Sequence, residues 1–191
     1  MAIRVNRVLR PFGVEVHRTK PDPAATSWSL GAAQVRLSLA STSGTGPVAV
    51  CAAPDDRAAT IVGDALHRDP PASPVALHEL DAYPGGRAGD RSPDGAVAVV
   101  RHAGGIPDCF DDLPTAGFRF VHVSLDVYEL TRDALAQLHP RLGPGGLLMC
   151  EHVDDAARPG VRRAFDEHCA AARVRPILLV TGQALLTRGA R

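Results

Sequence analysis

A single α/β domain, built on a mostly parallel sheet of about seven strands with an antiparallel hairpin at its carboxyl end, follows from three observations. Apolar stretches of strand length recur from Gly46 onward. Segments with apolar residues at helical spacing stand between them. The last two apolar stretches are separated by only Thr181 and Gly182, which is hairpin spacing.

The elements follow in order. Pro11 and the PDPAATS run at 21–27 are expected to break regular structure, which makes 1–45 an amino-terminal arm or lid ahead of a domain at 46–191. Strands are expected at 47–53 (PVAVCAA), 73–80 (SPVALHEL), 96–102 (AVAVVRH), 118–125 (FRFVHVSL), 146–152 (GLLMCEH), 175–180 (RPILLV) and 183–188 (QALLTR). Helices are expected at 56–68, 130–142 and 159–174, where Ala, Leu, Val and Phe recur on one face.

Composition narrows the function classes. A chain of 191 residues is long enough for one well-buried core. Lys plus Arg and Asp plus Glu both number 21, with no basic stripe, so neither nucleic acid nor an anionic membrane is an expected partner. No apolar run has the length of a bilayer span, and the opening MAIRVNRVLRPFGVEV spaces its cations where a leader would place an apolar run. A cytoplasmic protein is expected. Cys51, Cys109, Cys150 and Cys169 are far apart and lack zinc-type spacing, which marks them as core thiols.

In a parallel sheet, ligands bind in the crevice beyond the carboxyl ends of the strands. Those ends carry Asp55, Asp56 and Arg57 after the first strand, Asp81 and Tyr83 after the second, Gly104 to Asp108 after the third, Ser124, Asp126 and Tyr128 after the fourth, and Glu151, His152, Asp154 and Asp155 after the fifth. Any one of them also has a plain structural role open to it, as a helix cap or a hydrated rim residue. Together they describe a polar crevice.

The stretch FRFVHVSLDVYELTRDALAQLHPRLGPGGLLMCEHV, followed by PGVRRAFDEH and TGQALL, resembles the second half of the macrocin O-methyltransferase family, metal-dependent sugar methyltransferases of macrolide biosynthesis that use S-adenosylmethionine. His122, Asp126, Tyr128, Thr131, the Pro144-Gly145-Gly146 turn, Gly160, Arg163, Asp166 and Thr181-Gly182-Gln183 carry the likeness. It implies a Rossmann-like class I methyltransferase fold, with this chain a degenerate and shortened member. It also implies self-association, which the shortened amino-terminal segment leaves open.

The departures fall on the chemistry. Where the family has a glycine-rich turn for the methyl donor, this chain reads Ala52-Ala53-Pro54-Asp55-Asp56-Arg57-Ala58, without a glycine. The resemblance places the family's three metal-binding aspartates at Ser124, Glu151 and His152, so one carboxylate remains, and the first position also loses the implied base. Both the S-adenosylmethionine and the magnesium sites are therefore expected to be degenerate, with no cofactor bound.

Three functions follow. The first is a non-methylating tailoring enzyme of bacterial natural-product biosynthesis that closes a small heterocycle by intramolecular displacement in an activated intermediate. Its catalytic pool is Asp126, Glu151, His152 and Asp81, with Asp55, Asp56, Arg57, Tyr83, Ser124 and Tyr128 as substrate contacts. The second is a non-catalytic subunit that stabilises a partner enzyme of the same pathway. The third is an active O-methyltransferase with an unusual donor site.

Overall fold

A computed structural model describes residues 23–42, 45–53, 56–84, 97–102 and 104–188. The elements are α1 (Pro23–Ser41), β1 (Val48–Ala52), α2 (Ala58–Arg68), β2 (Val75–Asp81), β3 (Val97–His102), β4 (Phe118–Ser124), α3 (Tyr128–Leu138), β5 (Leu142–Cys150), α4 (Pro159–Ala172), β6 (Ile177–Leu178) and β7 (Ala184–Thr187). Single 3-10 turns cover Asp108–Phe110 and His139–Arg141.

The strands form one seven-stranded sheet in the order β3-β2-β1-β4-β5-β7-β6. The pairs from β3 to β5 are parallel, and β7 runs antiparallel to both β5 and β6. Alternation along the strands divides the core between two faces. Val48, Val50, Ala52, Leu77, Phe120 and Met149 pack with α1 and α2, through Val35 and Leu39 from the first helix and Val62, Ala65 and Leu66 from the second. Ala49, Cys51, Val121, Val123, Leu148 and Cys150 pack on the other side with Ala134, Leu135 and Leu138 of α3 and Val161, Phe165 and Cys169 of α4. All four cysteines are free and buried. No helix among the described residues is long and apolar enough to cross a membrane.

Several expectations need correction. The run at 21–27 does not break regular structure throughout, because the chain is helical from Pro23. Proline is well suited to a first helical position, where no intrahelical partner exists for an N–H. Nor does the core start at Gly46, since Val35 and Leu39 of α1 are buried in it. β5 starts at Leu142 and not after the Pro144-Gly145-Gly146 turn. The register shifts between Phe118 and Phe120, so this tripeptide lies within an irregular strand. A Cβ at Gly146 would stand 2.5 Å from the Phe118 carbonyl oxygen, so only glycine lets the two backbones close here. β5 ends at Cys150, which leaves Glu151 and His152 in a turn, and α3 ends at Leu138 with a 3-10 turn completing the helix expected to 142. The 175–180 stretch pairs only at Ile177–Leu178, where the side chains are exposed at the sheet edge.

Two histidine pairs lie apart from the Asp56–Ser124 and Glu151 contacts. His78 Nδ1 and His102 Nε2 are 2.9 Å apart across β2 and β3, with their rings stacked and His78 set edge-on to Phe118. His139 Nε2 lies 3.4 Å from the Thr187 carbonyl, which requires a proton on that nitrogen. His139 Nδ1 therefore accepts from His168 Nε2, 3.0 Å away. Burial pushes both His78 and His168 down to about 4, and a neighbouring histidine adds to each shift. These imidazoles are neutral in the folded chain and take up protons on unfolding.

Below the ordinary histidine value of about 6.5 the unfolded chain binds more protons than the folded one, so stability falls as pH falls, until the folded groups titrate near 4. Urea midpoints measured from pH 7 to pH 4 are expected to decline across that window. Replacing His168 with Gln is expected to flatten the decline, and a constant midpoint would contradict the assignment.

Candidate functional site at the strand ends

Sheet order reverses between β1 and β4, because β1 leads outward to β2 while β4 pairs on its other side. Ala52 pairs with Ser124 at the carboxyl ends of these strands and with Asp81 at the end of β2. One crevice therefore receives the residues that follow β1, β2, β4 and β5.

Asp56 connects the two central strands. Its Oδ1 accepts from the Ala58 N–H at 2.8 Å, which caps the first turn of α2. Its Oδ2 accepts from Ser124 Oγ at 2.5 Å, a charge-assisted hydrogen bond. Ser124 is only 4% exposed, so its hydroxyl depends on this protein partner.

Glu151 follows β5 and is fixed at both ends. Its N–H donates to the Val123 carbonyl at 2.9 Å. Its Oε1 meets His122 Nε2 at 2.9 Å and Gln183 Nε2 at 2.6 Å. Burial raises the Glu151 pKa, but the hydrogen bond and charge of His122, the hydrogen bond of Gln183 and the nearby His152 outweigh it, so the carboxyl lies below its ordinary value.

His152 adopts a left-handed backbone, φ +61°, which is uncommon for a residue with a Cβ and is typically found where surrounding structure enforces it. Its Nδ1 lies 4.0 Å from Asp155 Oδ2, and Asp155 also binds Arg158. Burial pushes the His152 pKa down and Arg158 adds to this, against opposing pulls from Glu151, Asp56 and Asp155. Asp56, Ser124, Glu151 and His152 thus form one interacting group, with a neutral imidazole at its edge at neutral pH.

The remaining expected site residues divide. Burial raises the Asp81 carboxyl above its ordinary value, partly offset by Arg101, which is itself bonded to Glu79 at 3.1 Å. Tyr83 donates its hydroxyl to Asp126 Oδ1 at 3.4 Å and joins the loops after β2 and β4. Tyr128 instead occupies the seam between α3 and α4: its hydroxyl donates to Glu167 at 2.6 Å and Arg163 lies 4.9 Å from its ring centre. A Cβ at Gly160 would stand 3.1 Å from the Tyr128 Cβ and 3.2 Å from its backbone nitrogen, so the small residue lets the start of α4 approach the start of α3. Arg57 stands at the start of α2. Asp55 lies outside the described residues. The reading of strand ends passed over His122 and Gln183, which belong to the Glu151 group; their signal was a polar side chain at an otherwise apolar, buried position. Among the described residues no three His, Cys, Asp or Glu side chains are grouped so as to hold a metal ion.

No protein-family model and no curated protein matches the chain. Its structure resembles the O-methyltransferase NovP, with a TM-score of 0.60 and 18% identity, over 84% of this chain and 80% of that one. It also resembles apo CalS11, a TDP-rhamnose 3'-O-methyltransferase of calicheamicin biosynthesis, with a TM-score of 0.63 and 16% identity, over 100% of this chain and 89% of that one. The human N-acetylserotonin methyltransferase, solved with S-adenosylmethionine, matches at a TM-score of 0.53 and 15% identity, over 99% of this chain and 65% of that one. The fold is therefore the Rossmann-like class I methyltransferase fold.

Ser124→Ala removes the hydroxyl bonded to Asp56, whose carboxylate can partly rehydrate. A loss of about 1 kcal/mol in urea unfolding is expected, and unchanged stability would show that the hydrogen bond adds nothing to the fold.

Proposed function

We propose that the protein is a tailoring enzyme that closes a small ring within one activated substrate, using neither a methyl donor nor a metal. The observation that carries this reading is the Asp56–Ser124 hydrogen bond across the crevice. It fills with side chains the place where the family resemblance would put donor and metal.

The fit of each absent group supports it. A magnesium ion needs several oxygen ligands in octahedral array. Here the Ser124 hydroxyl donates a hydrogen bond to Asp56, Glu151 Oε1 is occupied by His122 and Gln183, and the third position is an imidazole. These residues do not fit the ion. The glycine-rich turn that lets a donor approach the backbone is replaced by Ala53, Asp56 and Arg57, all carrying side chains. An acidic turn also opposes the donor's carboxylate.

The same crevice suits a substrate that carries an amine and an esterified hydroxyl, such as a sulfate or phosphate ester. In the displacement the amine nitrogen forms a bond to the ester-bearing carbon as the C–O bond breaks. The electron pair leaves with the sulfate or phosphate anion, and the proton released from nitrogen passes to neutral His152 or to Glu151. Ordering both reactants within one molecule and excluding water supplies the acceleration. A pathway partner or a second copy would assist by covering the crevice.

A second reading, O-methyl transfer, is favoured by the fold shared with NovP and CalS11. One assay separates the two: an amino-alcohol sulfate ester is incubated with the protein in chelator or in magnesium, each with or without S-adenosylmethionine, and the products are weighed by mass spectrometry. Ring closure with loss of sulfate, independent of donor, is expected, and His152→Gln is expected to slow it at least about a hundredfold. A product heavier by one methylene that appears only with the donor would overturn the proposal.

A further inference from the structure

The strand-end group contains an asymmetry. Both side-chain hydrogen bonds to Glu151 converge on Oε1, from His122 Nε2 at 2.9 Å and from Gln183 Nε2 at 2.6 Å. Among the described residues Oε2 has no hydrogen-bond partner. The buried side-chain atoms without partners among the described residues are Arg119 Nε, His122 Nδ1 and Arg141 Nη1. Oε2 is not among them and the side chain is 19% exposed, so among the described residues Oε2 is left open. A carboxylate that has one oxygen doubly held and the other open has a fixed direction of approach.

We propose that Gln183 and His122 are positioning residues. By occupying Oε1 from two sides they fix Glu151 with Oε2 open as the acceptor for a substrate N–H at the crevice. The inference rests on the ring-closing reading and adds to it the group that orients the reacting amine.

The donors come from different parts of the fold. His122 is on the central strand β4 and 1% exposed. Gln183 lies just ahead of β7, after Gly182 at φ +84°, and is 2% exposed. Its Nε2 also lies 3.4 Å from the Gly31 carbonyl of α1, and Thr181 Oγ1 donates to its Oε1 at 2.8 Å. The amide is thereby fixed in orientation, with its NH2 group toward Glu151 and its oxygen toward Thr181. A side chain present only to fill space would not need all of these partners.

The test uses the full chain. Gln183→Met keeps the volume and removes the donor, while His122→Leu and His122→Gln remove and retain a donor at the second position. Relaxation of the Glu151 side-chain carbons by nuclear magnetic resonance reports its order without any substrate. Glu151 is expected to be rigid in the native chain and in His122→Gln, and mobile in Gln183→Met and His122→Leu, with backbone amide spectra otherwise preserved. In the ring-closing assay Gln183→Met is expected to lower kcat about tenfold while KM changes less than about twofold. If His122→Leu fails to fold, the Gln183→Met result decides. A Glu151 side chain as rigid in Gln183→Met as in the native chain, or an unchanged kcat, overturns the inference and leaves the ring-closing reading in place. Donor-dependent methylation would overturn that reading and leave the rigidity result standing.

Discussion

The parallel pairing of β1 with β4 governs what the strand ends do. Because Ala52 is in register with Ser124, and also with Asp81, three strands end at the same level. Asp56 follows β1, and its one carboxylate both caps α2 and accepts the Ser124 hydroxyl. A shift of one residue in this register would turn Ser124 toward the opposite face of the sheet and break the connection. The apolar residues of β1 and β4 prevent that shift, since Val48, Val50 and Phe120 are buried with α1 and α2, and Ala49, Cys51, Val121 and Val123 with α3 and α4. Hydrophobic packing on two faces thus sets the geometry of a polar group at the edge.

The central strands and three of the helices were legible because their signals are local: continuous apolar runs for strands buried on both faces, and apolar spacing for helices with one buried face. The start of α1 was misread because proline breaks a helix interior yet suits a helix start, and nothing before Pro23 distinguishes the two. The strand through Pro144 and Gly145 was hidden for a similar reason, as a bulge places turn-forming residues inside a strand. At the strand ends, positions read from the sequence come into contact: Asp56 with Ser124, and Glu151 with His122 and Gln183, beside His152. Tyr128 belongs to the same stretch of sequence but points its hydroxyl at Glu167, because α3 turns it toward α4. Gln183 came together with Glu151 only through the antiparallel return of β7 beside β5, a long-range pairing that spacing does not encode.

A shared fold leaves function to the site grafted on it. The frame common to this chain and to NovP and CalS11 brings ligands to the ends of β1 and β4 whatever chemistry follows. Hydrogen bonds join Asp56 to Ser124 and Glu151 to both His122 and Gln183, with a neutral imidazole, His152, beside them. On the proposed reading, such a site takes a proton from an N–H-bearing substrate and has too few free oxygen ligands to surround a metal ion.

Titration calorimetry with S-adenosylmethionine and with S-adenosylhomocysteine tests the central claim most directly, because it asks whether the Asp56–Ser124 bridge has displaced the donor. The account predicts no binding heat from either compound at micromolar to high-micromolar concentrations. A micromolar Kd for either one would contradict it and return the crevice to methyl transfer.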